Sequence, residues 1–212
     1  MDQRCHIFQL RGDPVNDLWR EPVTLTGKTI QLEPLSISHV HELSIAGSDK
    51  SIWQFMLYGE PITEDGMGNW VEEILHRRDE DGEIPFAVIH RTSGKAIGST
   101  RFMEMRPKHK GLEIGGTWFA VEFQRTGVNT ESKFLLLNYA FEKLDCIRVQ
   151  FKTDLRNIRS QKAIERLGAK KEGVLRNHLI TPEGMIRDSV YYSILKDEWV
   201  VIKPGLEKYY PN

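Results

Sequence analysis

The stretch LEIGGTWFAVEFQRTGVNTESKFLLLNYAFEKL, Leu112 to Leu144, constrains the fold more than any other part of the chain. Its first ten residues read as a strand, and the Gly115-Gly116 pair predicts a bulge within it. The polar run QRTGVN, Gln124 to Asn129, is a turn around one glycine. From about Thr130 to Lys143 the apolar spacing predicts a helix. Phe134, Leu137, Phe141 and Leu144 form one stripe, with Leu136 and Ala140 beside it. A second strand, CIRVQFKTD, follows. Strand, helix and strand in that order predict a parallel crossover.

The flanking segments supply antiparallel partners. KTIQLEPL (Lys28 to Leu35) alternates as a strand, and SISHVHELSIAG opens a short helix on a capping serine. TEDGMGNWVEEILHRRDEDG carries Met67, Trp70, Val71, Ile74 and Leu75 at helical spacing. IPFAVIHR and KAIGSTRFM form a hairpin around Thr92 to Lys95, and RPKHKG makes another turn. NIRSQKAIERLG is a helix between a cap at Asn157 and a stop at Gly168. KKEGVLRNHLI and MIRDSVYYSIL form a second hairpin. KDEWVVIKPGLEKYY is expected to be a closing helix broken at Pro204. The predicted order is β-α-α-β-β-β-α-β-α-β-β. The fold class is therefore α/β (α+β), with a mixed, mainly antiparallel sheet and flanking helices. Residues 1–26 read as a leader or strap and 27–212 as a single domain.

Composition excludes several function classes. The 212 residues carry 29 basic and 30 acidic side chains, a formal net charge of -1. Neither a nucleic-acid nor a membrane-surface partner is expected of such a balance. No apolar run approaches the roughly 20 residues that span a bilayer. The apolar part of MDQRCHIFQLRGDP is too short for a signal peptide. With only Cys5 and Cys146, no disulfide framework is present, and the expected location is cytoplasmic. The seven histidines form no HExxH or Cys/His cluster. His39 and His41 would point about 200° apart on a helix, so no metal is expected.

The turn at Gly127 joins a strand end to a helix N-terminus, where unpaired N–H groups and the helix dipole favour an anion such as phosphate. Gly127 lets a ligand approach the backbone, and Asn129 tolerates positive φ. GxxxxGK[ST] and GxGxxG are both absent, so neither a P-loop nor a Rossmann site is present. The alternative for Gly127 is a tight turn with no ligand.

Gln124-Arg125-Thr126-Gly127-Val128-Asn129, between strand and helix and followed by DLRNIRSQKAIERLGAKKEGVLR, resembles motif A and the succeeding segment of the GNAT N-acetyltransferase superfamily. Gln124 and Gly127 fit the motif, whereas Asn129 replaces its usual final Gly or Ala. RDSVYYSILKDEW resembles the closing strand of the branch that acetylates ribosomal-protein N-termini. The resemblance runs from about Lys28 to Trp199 and is most specific in the second half.

The resemblance implies that Gln124, Arg125, Thr126, Gly127, Val128, Asn129 and Thr130 cradle the pyrophosphate of acetyl-CoA. It implies strands splayed at the acetyl-CoA site, where backbone from Phe119 to Phe123, Phe119 and Val121 above all, binds the pantetheine amides as a pseudo-strand. Asn157 would contact the pantetheine or phosphate arm. Ser160 would hydrogen-bond the departing thiolate directly or through water. The competing reading makes Asn157 a helix cap with Ser160 at the third helical position.

Glu113 lies 11 residues before Gln124, the spacing at which some members carry a strand carboxylate as general base. An amine must lose its proton before it attacks a thioester. At pH 7 that costs roughly 1 kcal/mol for an α-amine and almost 5 for a lysine. A carboxylate acting directly or through one water can take that proton. The alternative is that Glu113 faces solvent or pairs with a basic residue across the sheet. One of Tyr191 and Tyr192 faces inward as a rival proton donor. Trp53, Phe55, Tyr58, Trp70 and Trp118 read as core, with an acceptor cleft as the alternative. Arg101, Arg106, Lys108 and Lys110 read as a solvated turn, with the CoA 3′-phosphate or an acidic acceptor as the alternative.

The resemblance implies an N-acetyltransferase that uses acetyl-CoA, and the residues best fit direct attack in a ternary complex, by a monomer or homodimer. The acceptor is a protein N-terminal α-amine or a small amine such as a polyamine, amino acid or aminoglycoside. A non-catalytic acyl-CoA-binding module would keep the loop and Asn157 without needing a base.

Overall fold

Strong β-formers in short alternating runs build one eight-stranded sheet. The strands are β1 (Leu25–Thr26), β2 (Ile30–Pro34), β3 (Ile84–His90), β4 (Lys95–Arg106), β5 (Gly111–Phe119), β6 (Arg148–Asp154), β7 (Lys170–Ile180) and β8 (Ile186–Leu195). Their spatial order is β1-β2-β3-β4-β5-β6-β8-β7. This computed structural model describes residues 17–208. Every neighbouring pair is antiparallel except β5 and β6. The mixed, mainly antiparallel sheet with one parallel crossover is as expected.

The helices are α1 (Val40–Ala46), α2 (Glu64–Asp81), α3 (Val128–Glu142), α4 (Ile158–Arg166) and α5 (Lys196–Glu207). Thr63 caps α2 by accepting from the Gly66 N–H, and left-handed Gly82 ends it. Asn157 caps α4 through the Ser160 N–H at 3.0 Å.

Strand alternation sorts the core into two layers. Ile84, Phe86, Val88, Phe102, Leu112 and Ile114 pack on one face beneath α3, with Phe134, Leu137 and Phe141 of its stripe and Leu144 just past its end. Trp199 of α5 stacks on Phe141 at 5.4 Å between centroids. Ala87, Ile89, Ala96 and Trp118 face the other way, against Leu43 of α1 and Met67, Trp70 and Ile74 of α2. Trp53, Trp70 and Trp118 are therefore core, as read. Trp19, within the segment read as a leader, is buried in the first cluster, and Leu25 and Thr26 pair with Leu32 and Gln31. The rest of that leader, residues 1–16, lies outside the described residues, as do 209–212.

The structure corrects the closing helix, because α5 runs through Pro204 without a break. Proline removes the bond from its own nitrogen to the carbonyl four residues earlier. That carbonyl belongs to Val200, which is 70% exposed, so water can satisfy it.

Candidate active site

The parallel ladder between β5 and β6 is short. It pairs Gly111 with Arg148, Leu112 with Val149 and Glu113 with Gln150, and then stops. Both strands continue, β5 to Phe119 and β6 to Asp154. Beyond Glu113 the strands are splayed as expected, and backbone from Ile114 onward is left without a β6 partner.

A bulge shapes β5 at the same place. Against β4, Arg101 pairs with Gly115 but Ser99 pairs with Trp118, so β5 holds one extra residue. Gly116 sits at φ 57°, and a Cβ there would meet the Arg101 side chain at 2.9 Å. A Cβ on Gly115 would meet Met103 at 2.7 Å and Glu113 at 3.3 Å. Two successive residues thus turn toward the same face; glycine is favoured at Gly116 by its positive φ, and at Gly115 a side chain would have to displace Met103.

The gap opens into a cleft of about 1120 Å³ lined by β5, the Gly127 turn, α3, β6 and α4. Gln124, Arg125, Gly127, Asn129, Thr130, Asn157 and Ser160 line it together with Glu113 and Phe119. Gly127 is the N-cap of α3 at φ 96°, and no side chain caps that helix. Val128, Asn129 and Thr130 occupy its first turn, where the N–H groups have no intrahelical acceptor. The helix starts two residues before the expected Thr130. Asn129 is consequently helical, and the positive φ values fall on Arg125 (65°) and Gly127.

Gln124 donates to the Phe119 carbonyl at 3.0 Å and accepts from Arg159 of α4 at 2.8 Å, tying strand, turn and helix together. Three side chains lie away from the cleft. Val121 opens a 3-10 turn, Val121–Phe123, so the strand edge ends at Phe119 rather than continuing through it. The Thr126 hydroxyl donates to the Phe123 carbonyl at 2.7 Å, and the Val128 side chain is buried in the core.

Glu113 is 2% exposed yet reaches the cleft. Gln150 donates to its carboxylate at 3.0 Å, and Lys152 Nζ lies 3.5 Å away. The cross-sheet pairing considered for it is therefore present. The Tyr191 ring lies 5.8 Å from Lys152 Nζ on the same face. Burial raises the Tyr191 pKa. Tyr192 is fully buried and its hydroxyl lies 3.1 Å from Gln161 Oε1 and 3.0 Å from Glu165 Oε1, with one proton to share between them, so Tyr191 is the tyrosine beside Glu113. Burial pushes the Cys146 thiol up to about 12, which leaves it protonated and a poor nucleophile.

The opposite wall holds Phe55, Tyr58, Arg77, Asp81, Glu83 and Glu104. Arg101, read from sequence as part of a solvated turn, is 1% exposed and paired with Glu83 at 3.0 Å. Its guanidinium also donates to the Tyr58 hydroxyl. Burial raises the Glu83 pKa, opposed by the charges of Arg101 and Arg77. Arg187 pairs at 3.9 Å with Asp154 and donates at 3.4 Å to the Phe55 carbonyl, bridging the two sides of the cleft. Lys133 of α3 lines the cleft and was not singled out from sequence. The signal was present, since Lys133 stands four residues before Leu137 and extends the buried stripe.

The Acetyltransferase (GNAT) domain family matches residues 29–170. The chain belongs to the GNAT acetyltransferase family. GNAT members use acetyl-CoA as co-substrate, and the splayed strands, turn and α3 N-terminus are where this chain can hold one. Among curated relatives, "Putative ribosomal N-acetyltransferase YdaF" of Bacillus subtilis is 42% identical over 106 residues, which cover 50% of this chain and 57% of the relative. A crystal structure of a GCN5-related N-acetyltransferase from Brucella melitensis has a TM-score of 0.82 and 28% identity. The match covers 89% of this chain and 85% of that one. Another, of a "probable acetyltransferases (GNAT family)" protein from Chromobacterium violaceum, has a TM-score of 0.77 and 31% identity. It covers 85% of this chain and 89% of that one. Among the described residues no helix is long and apolar enough to cross a membrane.

Proposed function

We propose that this GNAT chain transfers an acetyl group from acetyl-CoA to a primary amine by direct attack, and that the acceptor is the α-amine of a protein N-terminus. The carrying observation is that the β5–β6 ladder ends at the Glu113–Gln150 rung, which puts a carboxylate at the point where the strands part. The co-substrate supplies a thioester whose acyl carbon is open to an amine.

The chain's own groups suit that chemistry. N–H groups of the first α3 turn and the Arg125 side chain meet the negative charge of a pyrophosphate. The unpaired edge from Ile114 to Phe119 offers N–H and C=O groups to the amides of a pantetheine arm. Asn157 spends its oxygen on capping α4, so its Nδ2 is the end that faces a ligand. The Ser160 hydroxyl donates toward a leaving sulfur. Glu113, with Gln150 and Lys152 fixing its orientation, accepts the amine proton directly or through one water.

Two observations support an N-terminal acceptor. The relative of 42% identity carries a ribosomal N-acetyltransferase name. Asp81 and Glu104 on the far wall are carboxylates that can meet a cationic chain end, whereas Glu83 is taken up by Arg101. The same acidic wall also suits a small polyamine, so the two acceptor classes belong in one assay.

Release of free CoA thiol from acetyl-CoA, measured with a pool of N-terminal peptides and a pool of small amines, tests the proposal. Turnover in the peptide pool that collapses in Glu113→Gln supports it. Turnover in the small-amine pool alone replaces the acceptor. Acetyl-CoA binding without turnover in either pool overturns the enzyme reading in favour of a binding module.

A further inference from the structure

Lys133 is the least expected side chain in the cleft. It is 6% exposed, and among the described residues no carboxylate forms an ion pair with it. Its Nζ donates to Thr100 Oγ1 of β4 at 3.2 Å and to Thr117 Oγ1 of β5. The two hydroxyl oxygens are 2.8 Å apart, and Thr117 donates onward to the Gly115 carbonyl at 3.3 Å. With the Thr117 proton on the Gly115 carbonyl, Thr100 is the donor to Thr117. Every bond then runs one way, from the lysine through the threonines to the bulge.

We propose that Lys133 is a positioning residue for acetyl transfer, bracing the Gly115–Thr117 bulge from beneath so that the backbone at the gap keeps one orientation. The inference rests on the transfer reading above. A bulge of two glycines has little stiffness of its own. A buried lysine costs free energy, and a methionine of similar length would fill the space without that cost. Retaining the lysine therefore fits a role that needs its N–H donors.

Thr100 faces Lys133 from β4 and Thr117 faces it from β5. Arg101 and Glu113 alternate to the opposite face of those strands. Glu131 on α3 is turned to the Thr29 N–H at 2.8 Å. Burial alone, with no neighbouring charge, lowers the Lys133 pKa to about 7. Below that pH the brace is a charge-assisted donor, and above it a weaker neutral one.

The test compares wild type, Lys133→Met and Thr117→Val, using acetyl-CoA and the N-terminal peptide pool. Each variant is expected to lose at least about tenfold in kcat while KM for acetyl-CoA moves less than about threefold. Wild-type kcat/KM for acetyl-CoA should carry an alkaline fall centred near pH 7 that is absent from Lys133→Met. An unchanged kcat in either variant overturns the proposal. So does a reduced kcat in Lys133→Met that keeps the same pH profile, because that is a merely structural defect. A turnover-independent measurement separates this inference from the transfer reading. The Gly116 and Thr117 amide NMR signals should titrate near pH 7 in wild type and stay fixed in Lys133→Met. Signals that do not titrate sink the brace whatever the activity. Signals that titrate in a protein with no turnover sink the transfer reading and the brace's part in it.

Discussion

Glu113 and Gln150 are the last rung of the parallel β5–β6 ladder, and their side chains are joined by a 3.0 Å hydrogen bond. The residue that marks where the strands separate is thus also the carboxylate nearest the gap. Ladder geometry and proton acceptance are set by one position. Glu113→Gln keeps the shape and can still hydrogen-bond Gln150, but cannot accept a proton. It is expected to lower kcat by about 10²–10⁴-fold with acetyl-CoA affinity unchanged. Steady-state kinetics with isothermal titration of acetyl-CoA checks this, and a loss of affinity equal to the loss of kcat would contradict it.

Lys133 also predicts a pH dependence of stability. Its pKa is about 7 folded and near 10.5 unfolded, so between those values the unfolded chain binds more protons. The penalty for burying the charge is full below about pH 7 and is relieved as pH rises toward 10.5. Denaturant midpoints of wild type and Lys133→Met should therefore converge from pH 7 to pH 10, with the methionine variant the more stable at pH 7. A gap that widens with pH would refute the assignment.

The Arg101–Glu83 pair is buried on both sides, with side-chain exposures of 2% and 7%. Arg101→Met strands the Glu83 carboxylate and should cost about 3–5 kcal/mol. Adding Glu83→Gln removes the stranded charge, so the double variant should recover part of that loss. Urea titrations of the three variants test this, and strict additivity would show that the two groups are not coupled.

Gly127 holds φ 96° at the head of α3. Gly127→Ala strains that conformation by roughly 1–2 kcal/mol per residue and puts a methyl where a phosphate would approach. The expected result is a raised KM for acetyl-CoA with the fold retained by circular dichroism. An unchanged KM would remove the turn from the binding site.

Trp19 is 5% exposed in the main core cluster. Trp19→Ala should cost about 3–5 kcal/mol, measured by thermal or urea unfolding. A cost near zero would mean that the segment before β1 does not contribute to domain stability.

The sequence by itself determined the element order from β2 onward, the parallel crossover and the apolar stripe of α3, because these depend on local periodicity and on turn residues at fixed positions, whereas the two-residue β1 was too short to show any period. It pointed to the bulge through Gly115-Gly116, where a plain sheet distortion was the other reading, and it determined the helix end at Asn157, whose cap bond spans only three residues. Only the tertiary structure decided which polar groups meet. Arg101 reads as a surface residue until the start of β3 brings Glu83 beside it and Tyr58 closes over its guanidinium. Lys133 stands on the apolar stripe of α3, but its partners come together only when Thr100 of β4 and Thr117 of β5 close around its amine. The continuation of α5 through Pro204 likewise depends on Val200 facing water. In each case the deciding quantity is desolvation. Burial is a property of the assembled layers, and no window of neighbouring residues contains it.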